Sequence, residues 1–351
     1  MAAFAAAGDL IARAIRDRVT PAATIEVGTT RGVQWRAAFG ALTYDAGAPP
    51  CADDTIFDLA SLTKVIATTS IAMRLVDRGV LSIDTPIESL EPRWRALITP
   101  GGDRPTLRCL LDHSSGLPAH VALYKTAQTR EAFLDQILAL DLARTPGVAA
   151  EYSDVGFMLL GFLLERAAGA TLDAEFAPIA AQLGEIGYRP SRHLRPRIAP
   201  TERDAWRGRL IQGEVHDENA FALGGVAAHA GLFGTVASVG AFARVVLSTY
   251  RADTWLARQA TLKTFVAKSQ VAGSSRALGW DTMLPTSSCG TLMSPRAIGH
   301  TGFTGTSLWI DPETDVYVAL LTNRVHPTRD GSGIQELRRG VADAVVRALA
   351  G

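Results

Sequence analysis

Apolar positions recur at helical spacing at both ends of the chain. Leu10, Ile11, Ala14 and Ile15 fall on one side of a helix near the N-terminus, and Ile334, Leu337, Val341, Val345 and Leu349 do the same near the C-terminus. Inside these ends lie short runs rich in β-branched and aromatic residues and bounded by Gly, Pro or Asp. Ala23–Gly28, Val33–Phe39, Ser307–Ile310 and Val316–Thr322 are therefore expected to be strands. From roughly Pro86 to Thr261 helix-period segments dominate, among them Arg130–Leu142, Val155–Ala168 and Ser238–Tyr250, separated by loops containing Pro and Gly. That order predicts an α/β (α+β) fold: residues 1–85 and 262–351 form an α/β domain from both chain ends, and residues 86–261 an inserted, mostly helical domain.

One stretch tests this reading. Ala220–Ala243 is uncharged and long enough to span a bilayer, yet it holds glycines at 224, 225, 231, 234 and 240 together with His229, Thr235 and Ser238. It reads as a buried, loop-rich segment, and no membrane span is expected. No solenoid-type repeat or low-complexity tract is present.

Composition narrows the function classes. With 351 residues, 47% hydrophobic and 20% charged, the chain matches soluble globular averages. Lys+Arg and Asp+Glu are both 35, so there is no global field to hold nucleic acid or an anionic membrane. The expected partner is a small molecule; nothing in the sequence fixes an oligomeric state. Cys51, Cys109 and Cys289 show neither C-x-x-C nor C-x-x-H spacing, which argues against a disulfide framework and against a zinc site. Asp9, Arg13, Arg16, Asp17 and Arg18 interrupt the N-terminal stretch, so no secretory leader is read. The expectation is cytoplasmic, or periplasmic if a leader was removed.

No H-E-x-x-H, Walker loop, G-x-G-x-x-G or G-x-S-x-G motif occurs, and no cofactor or metal is expected. What remains is Ser61-Leu62-Thr63-Lys64, opening a probable helix carried by Val65, Ile66, Thr69, Met73 and Val76. Residues three apart share a helix face, so Lys64 reaches the Ser61 oxygen. A serine hydroxyl needs a base, and a lysine serves only when neutral, a state that burial and a helix N-terminus both favour. With 18 serines and four lysines, an accidental match arises in roughly one such chain in five.

Two further triplets add to it. Tyr152-Ser153-Asp154 precedes an apolar helix; a phenol beside a cation deprotonates below its usual value of about 10 and relays a proton. Asp154 either holds Lys64 or caps the helix. Gly299-His300-Thr301-Gly302-Phe303-Thr304-Gly305 is either a Gly-rich hairpin with a surface histidine or a substrate-binding edge. In the second case the backbone N–H groups of Phe303 and Ser61 form an oxyanion hole, and His300 and Thr301 bind a substrate carboxylate or steer a proton.

The order S-x-x-K, Y-x-N-like, K/H-T-G resembles the serine β-lactamase-like superfamily, in its class C β-lactamase, D-alanyl-D-alanine carboxypeptidase and esterase branch (peptidase family S12). Leu110-Leu-Asp-His-Ser-Ser-Gly-Leu-Pro118 and Gly231-Leu-Phe-Gly-Thr235 resemble flanking text of that branch, and the likeness spans about residues 8–348. It implies an antiparallel sheet flanked by helices, an active site in the cleft between the two domains, and acyl-enzyme chemistry. Ser61 would be the nucleophile, Lys64 and Tyr152 the proton carriers, His300 a further catalytic group, and Asp154, Thr301, Gly302, Phe303 and His120 substrate contacts.

This sequence departs from the pattern at Asp154, His300 and His120. Asp154 in place of Asn keeps Lys64 protonated and enlarges the share of Tyr152 as base. Together the departures favour peptidase or esterase chemistry over efficient β-lactam hydrolysis, and the leading expectation is a serine hydrolase acting on a small D-alanyl-D-alanine-type peptide or a related amide or ester, with weak β-lactamase or penicillin-binding activity. The alternatives are a carboxylesterase or transacylase, or a non-catalytic penicillin-binding scaffold. His216, Asp217, Glu218 and His229 carry a weaker metal reading. Trp206-Arg207-Gly208-Arg209 resembles a muropeptide-linked subset, with an arginine either for a substrate carboxylate or for the solvated surface.

Overall fold

Hydrophobic alternation fades in the central strands because both faces of their sheet are covered. The computed structural model describes residues 2–97 and 104–350. Six antiparallel strands lie in the spatial order Gly32–Gly40, Ala22–Thr29, Val316–Thr322, Ser307–Asp311, Ile298–Thr301, Asp281–Thr282. Every residue of Ala22–Thr29 and Val316–Thr322 is buried. The helices Ala5–Arg16 and Ile334–Ala350 pack against one another and build a core with one face of this sheet, through Ile11, Trp309, Val318, Val341 and Val345. This is the pairing of chain ends that the sequence predicts.

The helix Val236–Thr249, expected within the inserted region, packs on the strands Ala22–Thr29, Ser307–Asp311 and Val316–Thr322. Glu26 lies under it, fully buried in the central strand, where it accepts from Arg36 Nε (2.7 Å), Arg244 Nη1 (2.7 Å) and the Tyr317 hydroxyl (2.7 Å). A buried carboxylate needs such partners. Gly240 makes room for it, since a Cβ there would stand 1.8 Å from Glu26 Oε1.

In a second sheet Leu232–Gly234 is the central strand and pairs with Phe57–Asp58 on one side and Ile186–Tyr188 on the other. The first of these edge strands leads into Ser61. Downstream, the backbone is π-helical over Lys64–Thr69 before the α-helix Ser70–Asp77, where sequence periodicity had indicated a plain helix. Thr69 Oγ1 donates to the Lys64 carbonyl at 2.8 Å, and Gly279, left-handed at φ +84°, packs where a Cβ would meet Thr69 Oγ1 at 1.9 Å. Such widened turns recur at functional sites because they shift a side chain relative to its neighbours. Ala220–Ala243 is mostly buried, as expected, and contributes the strand Leu232–Gly234 and the start of Val236–Thr249. Among the described residues no single helix is long and apolar enough to cross a membrane.

Candidate active site

Ser61 sits where three segments distant in sequence meet. Ala60, immediately before it, adopts φ +46°, a left-handed conformation that costs a non-glycine residue about 1 kcal/mol or more. The strain is held by stitching: Ala60 N–H donates to Asp58 Oδ1 (2.8 Å), Thr304 Oγ1 to the Asp58 carbonyl (2.7 Å) and Thr306 Oγ1 to the Leu59 carbonyl (3.0 Å). Gly302 is required at this approach, because a Cβ would lie 2.7 Å from the Leu59 carbonyl oxygen. Arg338, buried on the C-terminal helix, clamps the same loop by donating to the carbonyls of Gly302 (2.8 Å) and Thr306 (2.9 Å). The loop Gly302–Thr306 is thereby tied to the serine, and among the described residues neither the Ser61 nor the Phe303 N–H has a backbone partner. Both are free for an oxyanion.

The Ser61 oxygen accepts from Lys64 Nζ at 3.1 Å and from the Tyr152 hydroxyl at 2.8 Å. Lys64 is completely buried and makes two further bonds, to Asp154 Oδ1 (2.6 Å) and to the His229 carbonyl (3.0 Å). Burial disfavours its ammonium, but the Asp154 carboxylate and Tyr152 more than reverse this, and its pKa is raised. The neutral form that burial alone would favour is thus not the resting one, and Asp154 keeps the lysine protonated. Tyr152 departs from expectation: burial raises its phenol, and nearby Lys64 does not offset it. The site rests as an ammonium and a neutral phenol.

Asp154 resolves its two readings one residue apart. Ser153 is the helix cap, its Oγ accepting from Gly156 N–H at 2.9 Å, while Asp154 begins the helix Asp154–Ala168 and reaches Lys64. Its carboxylate lines the cleft too, but the lysine, rather than substrate, is its partner.

His300, Thr301, Gly302, Phe303 and His120 all line the same cleft, which encloses about 660 Å³. His300 is 4% exposed, and its Nδ1 lies 2.8 Å from the Thr301 carbonyl, so that nitrogen carries the proton and Nε2 is a buried acceptor without a partner among the described residues. Burial, with Lys64 and Arg276 adding to it, holds its pKa well below 6.5. A neutral imidazole offering a lone pair does not grip a carboxylate by charge, which corrects that part of the expectation; it suits an N–H or O–H donor.

The sign of the pH effect follows. His300 resists protonation when folded and accepts it when unfolded, so stability is lost as pH falls below the ordinary histidine value of about 6.5. His300→Gln is expected to flatten the decline of Tm between about pH 6 and 4.5, and the wild-type kcat/KM profile to carry no His300 inflection between about pH 5.5 and 8. An inflection there that the glutamine variant lacks would show the histidine titrating in that range after all.

Other readings change. His216 pairs with Glu202 (2.8 Å), His229 with Asp217 (2.8 Å) and Glu218 with Arg329 (2.8 Å), so these side chains separate into pairs instead of converging on a metal. Arg207 is buried and donates to the carbonyls of Val215 (2.8 Å) and His216 (3.0 Å), while Arg209 pairs with Glu214 (2.7 Å). Neither is placed to bind substrate. Arg276 lines the cleft instead, as do Arg324, Arg329 and Arg338; its guanidinium stands 5.2 Å from the Tyr152 ring, and its acidic neighbour Asp281 is 3.9 Å away. It lies in a polar loop whose sequence carries no period or motif that would have pointed to it.

The comparisons agree with this geometry. The family model described as Beta-lactamase matches residues 9–343. An N-acetylmuramyl-L-alanine amidase of Bacillus subtilis (strain 168) is 32% identical over 304 residues, covering 78% of this chain and 68% of that protein. A protein of Escherichia coli (strain K12) named D-alanyl-D-alanine carboxypeptidase is 32% identical over 314 residues, covering 78% and 70%. Among solved structures, EstCE1, a hydrolase with promiscuous acyltransferase activity, superimposes with a TM-score of 0.78 at 20% identity, covering 98% of each chain. The octameric penicillin-binding protein homologue from Pyrococcus abyssi gives 0.76 at 21% identity, covering 97% of this chain and 76% of that one.

Proposed function

The chain belongs to the beta-lactamase family of serine hydrolases, and on that premise we propose that it cleaves an amide bond in a small, alanine-containing peptide through an acyl-enzyme on Ser61. The observation that carries the reading is the contact of one serine oxygen with both Lys64 Nζ and the Tyr152 hydroxyl at the floor of the cleft.

The proton account closes without an external base. As Ser61 Oγ bonds to the substrate carbonyl carbon and the C–N bond breaks, the Tyr152 proton moves to the leaving nitrogen and the Ser61 proton moves to Tyr152 Oη in one concerted relay, the phenol proton running ahead. The charged Lys64 stabilises the phenolate character that this early departure creates, and the Ser61 and Phe303 N–H groups take the carbonyl oxygen. Water then enters by the reverse relay and releases the acyl group. An amide is favoured over an ester because the relatives that share 32% identity are named for amide cleavage, whereas the likeness to EstCE1, at 20% identity, concerns the fold. Arg276, loosely paired with Asp281, supplies the cleft with charge for a substrate carboxylate.

The test is a time course of intact-protein mass after mixing with benzylpenicillin, with a p-nitrophenyl ester and with a D-alanyl-D-alanine peptide. A serine adduct that clears fastest with the peptide is the expected result. Fastest clearance with the ester would replace the amide reading by the carboxylesterase or transacylase one, and neither adduct nor product with any of the three would leave a binding module.

A further inference from the structure

We propose that His113 is the positioning residue that fixes Tyr152 over Ser61; the proposal rests on the acyl-enzyme reading above. The loop 113–119 lies alongside the segment 143–154 and binds it repeatedly. Ala143 N–H donates to the Gly116 carbonyl (2.8 Å), Gly147 N–H to that of Ser114 (2.8 Å) and Asp154 N–H to that of Ala119 (2.9 Å). Around Tyr152 itself both grips come from one residue. Glu151 N–H donates to the His113 carbonyl at 2.9 Å, and Ser153 N–H donates to His113 Nδ1 at 3.0 Å. The imidazole also packs on the phenol, with ring centroids 4.7 Å apart and planes at 39°, and on Phe157 at 4.9 Å.

This arrangement holds what the chemistry needs held. A tyrosine has two soft side-chain torsions, and the hydroxyl of Tyr152 must stay 2.8 Å from the serine oxygen. Fixing the backbone on both sides of the residue and covering one region of its ring removes most of that freedom; a displacement of about 1 Å in such a site costs about 100-fold in rate. His113 is 3% exposed and is not among the residues lining the cleft, so it touches no substrate and acts through Tyr152. An Nδ1 that accepts a hydrogen bond leaves the proton on Nε2, so only the neutral ring makes this clamp. The backbone of His113 is left-handed at φ +63°, a conformation that asparagine and histidine adopt more readily than aliphatic residues.

Two substitutions and one cycle test it, with kcat and KM read on whichever of the p-nitrophenyl ester and the D-alanyl-D-alanine peptide the wild type turns over faster. His113→Leu keeps bulk and removes the acceptor, and is expected to lower kcat about 30- to 100-fold with KM within about twofold. His113→Asn puts its carbonyl oxygen near the place of Nδ1, tolerates the left-handed backbone and is expected to recover most of the loss. On a Tyr152→Phe background His113→Leu is expected to cost less than about threefold more, because the hydroxyl it positions is already gone. His113→Gln, whose amide extends past the Nδ1 position, takes the place of the leucine variant should that one not fold. Equal losses for the leucine and asparagine variants, or the same cost with and without the Tyr152 hydroxyl, would overturn the proposal alone. Undiminished turnover by Tyr152→Phe would overturn the relay reading, and the proposal with it.

Discussion

Ser61→Ala is expected to lower turnover by about 10⁴- to 10⁶-fold and to form no covalent adduct, while its Tm stays within about 2 °C of the wild type. The catalytic loss is large because, among the described residues, neither neighbour of the serine oxygen replaces it: Lys64 is held by Asp154 and His229, and Tyr152 is a half-buried, neutral phenol. The stability cost is small for a separate reason. The two donors that lose the Ser61 oxygen are not stranded, since Lys64 Nζ keeps Asp154 Oδ1 at 2.6 Å and the His229 carbonyl at 3.0 Å, and Tyr152 lines a cleft that water enters. The strained Ala60 is held by Asp58 and by the loop Gly302–Thr306 through bonds that do not involve the serine side chain. Steady-state turnover, intact mass and a thermal melt on the same preparation check both halves. Residual turnover near wild type would remove Ser61 as the nucleophile.

What could be read from the sequence divides along physical lines. Terminal helices, the long strands and the serine–lysine pair depend on short-range period and spacing, and they stand where the pattern places them. Features made by tertiary proximity were not legible. Arg276 and Arg338 come from a loop and a helix far from Ser61 in sequence, and His113 sat in a recognisable motif whose use appears only when the loop lies beside Tyr152. The helix Val236–Thr249 reads like any apolar helix until the sheet it covers is seen. Charge states were the subtler case. Spacing shows that a cation neighbours Tyr152 and that a histidine heads the third triplet, but the sign of each shift depends on how much water remains. Burial turns both away from the charged form.

The form of Lys64 that works can be separated from the form that merely rests, and two substitutions do so. Lys64→Met is expected to lower kcat by about 10³-fold and to leave stability nearly unchanged. Methionine fills a fully buried site without a charge to desolvate, and the carboxylate left behind is 21% exposed in the first turn of the helix Asp154–Ala168, where the helix dipole favours it. Asp154→Asn then asks which protonation state matters. It removes the carboxylate that does most to hold the ammonium against burial, so the lysine pKa falls. If the ammonium stabilises the developing phenolate of Tyr152, activity in this variant is lost at a lower alkaline pH than in the wild type, and kcat/KM near pH 7 drops. If instead the free amine takes the Ser61 proton, the variant is faster near pH 7, because more of the lysine is neutral there. The 2.6 Å ion pair between the fully buried Lys64 ammonium and Asp154 argues for the first result, about a tenfold fall at pH 7 with the alkaline limb moved down. The second would transfer the base role from Tyr152 to Lys64.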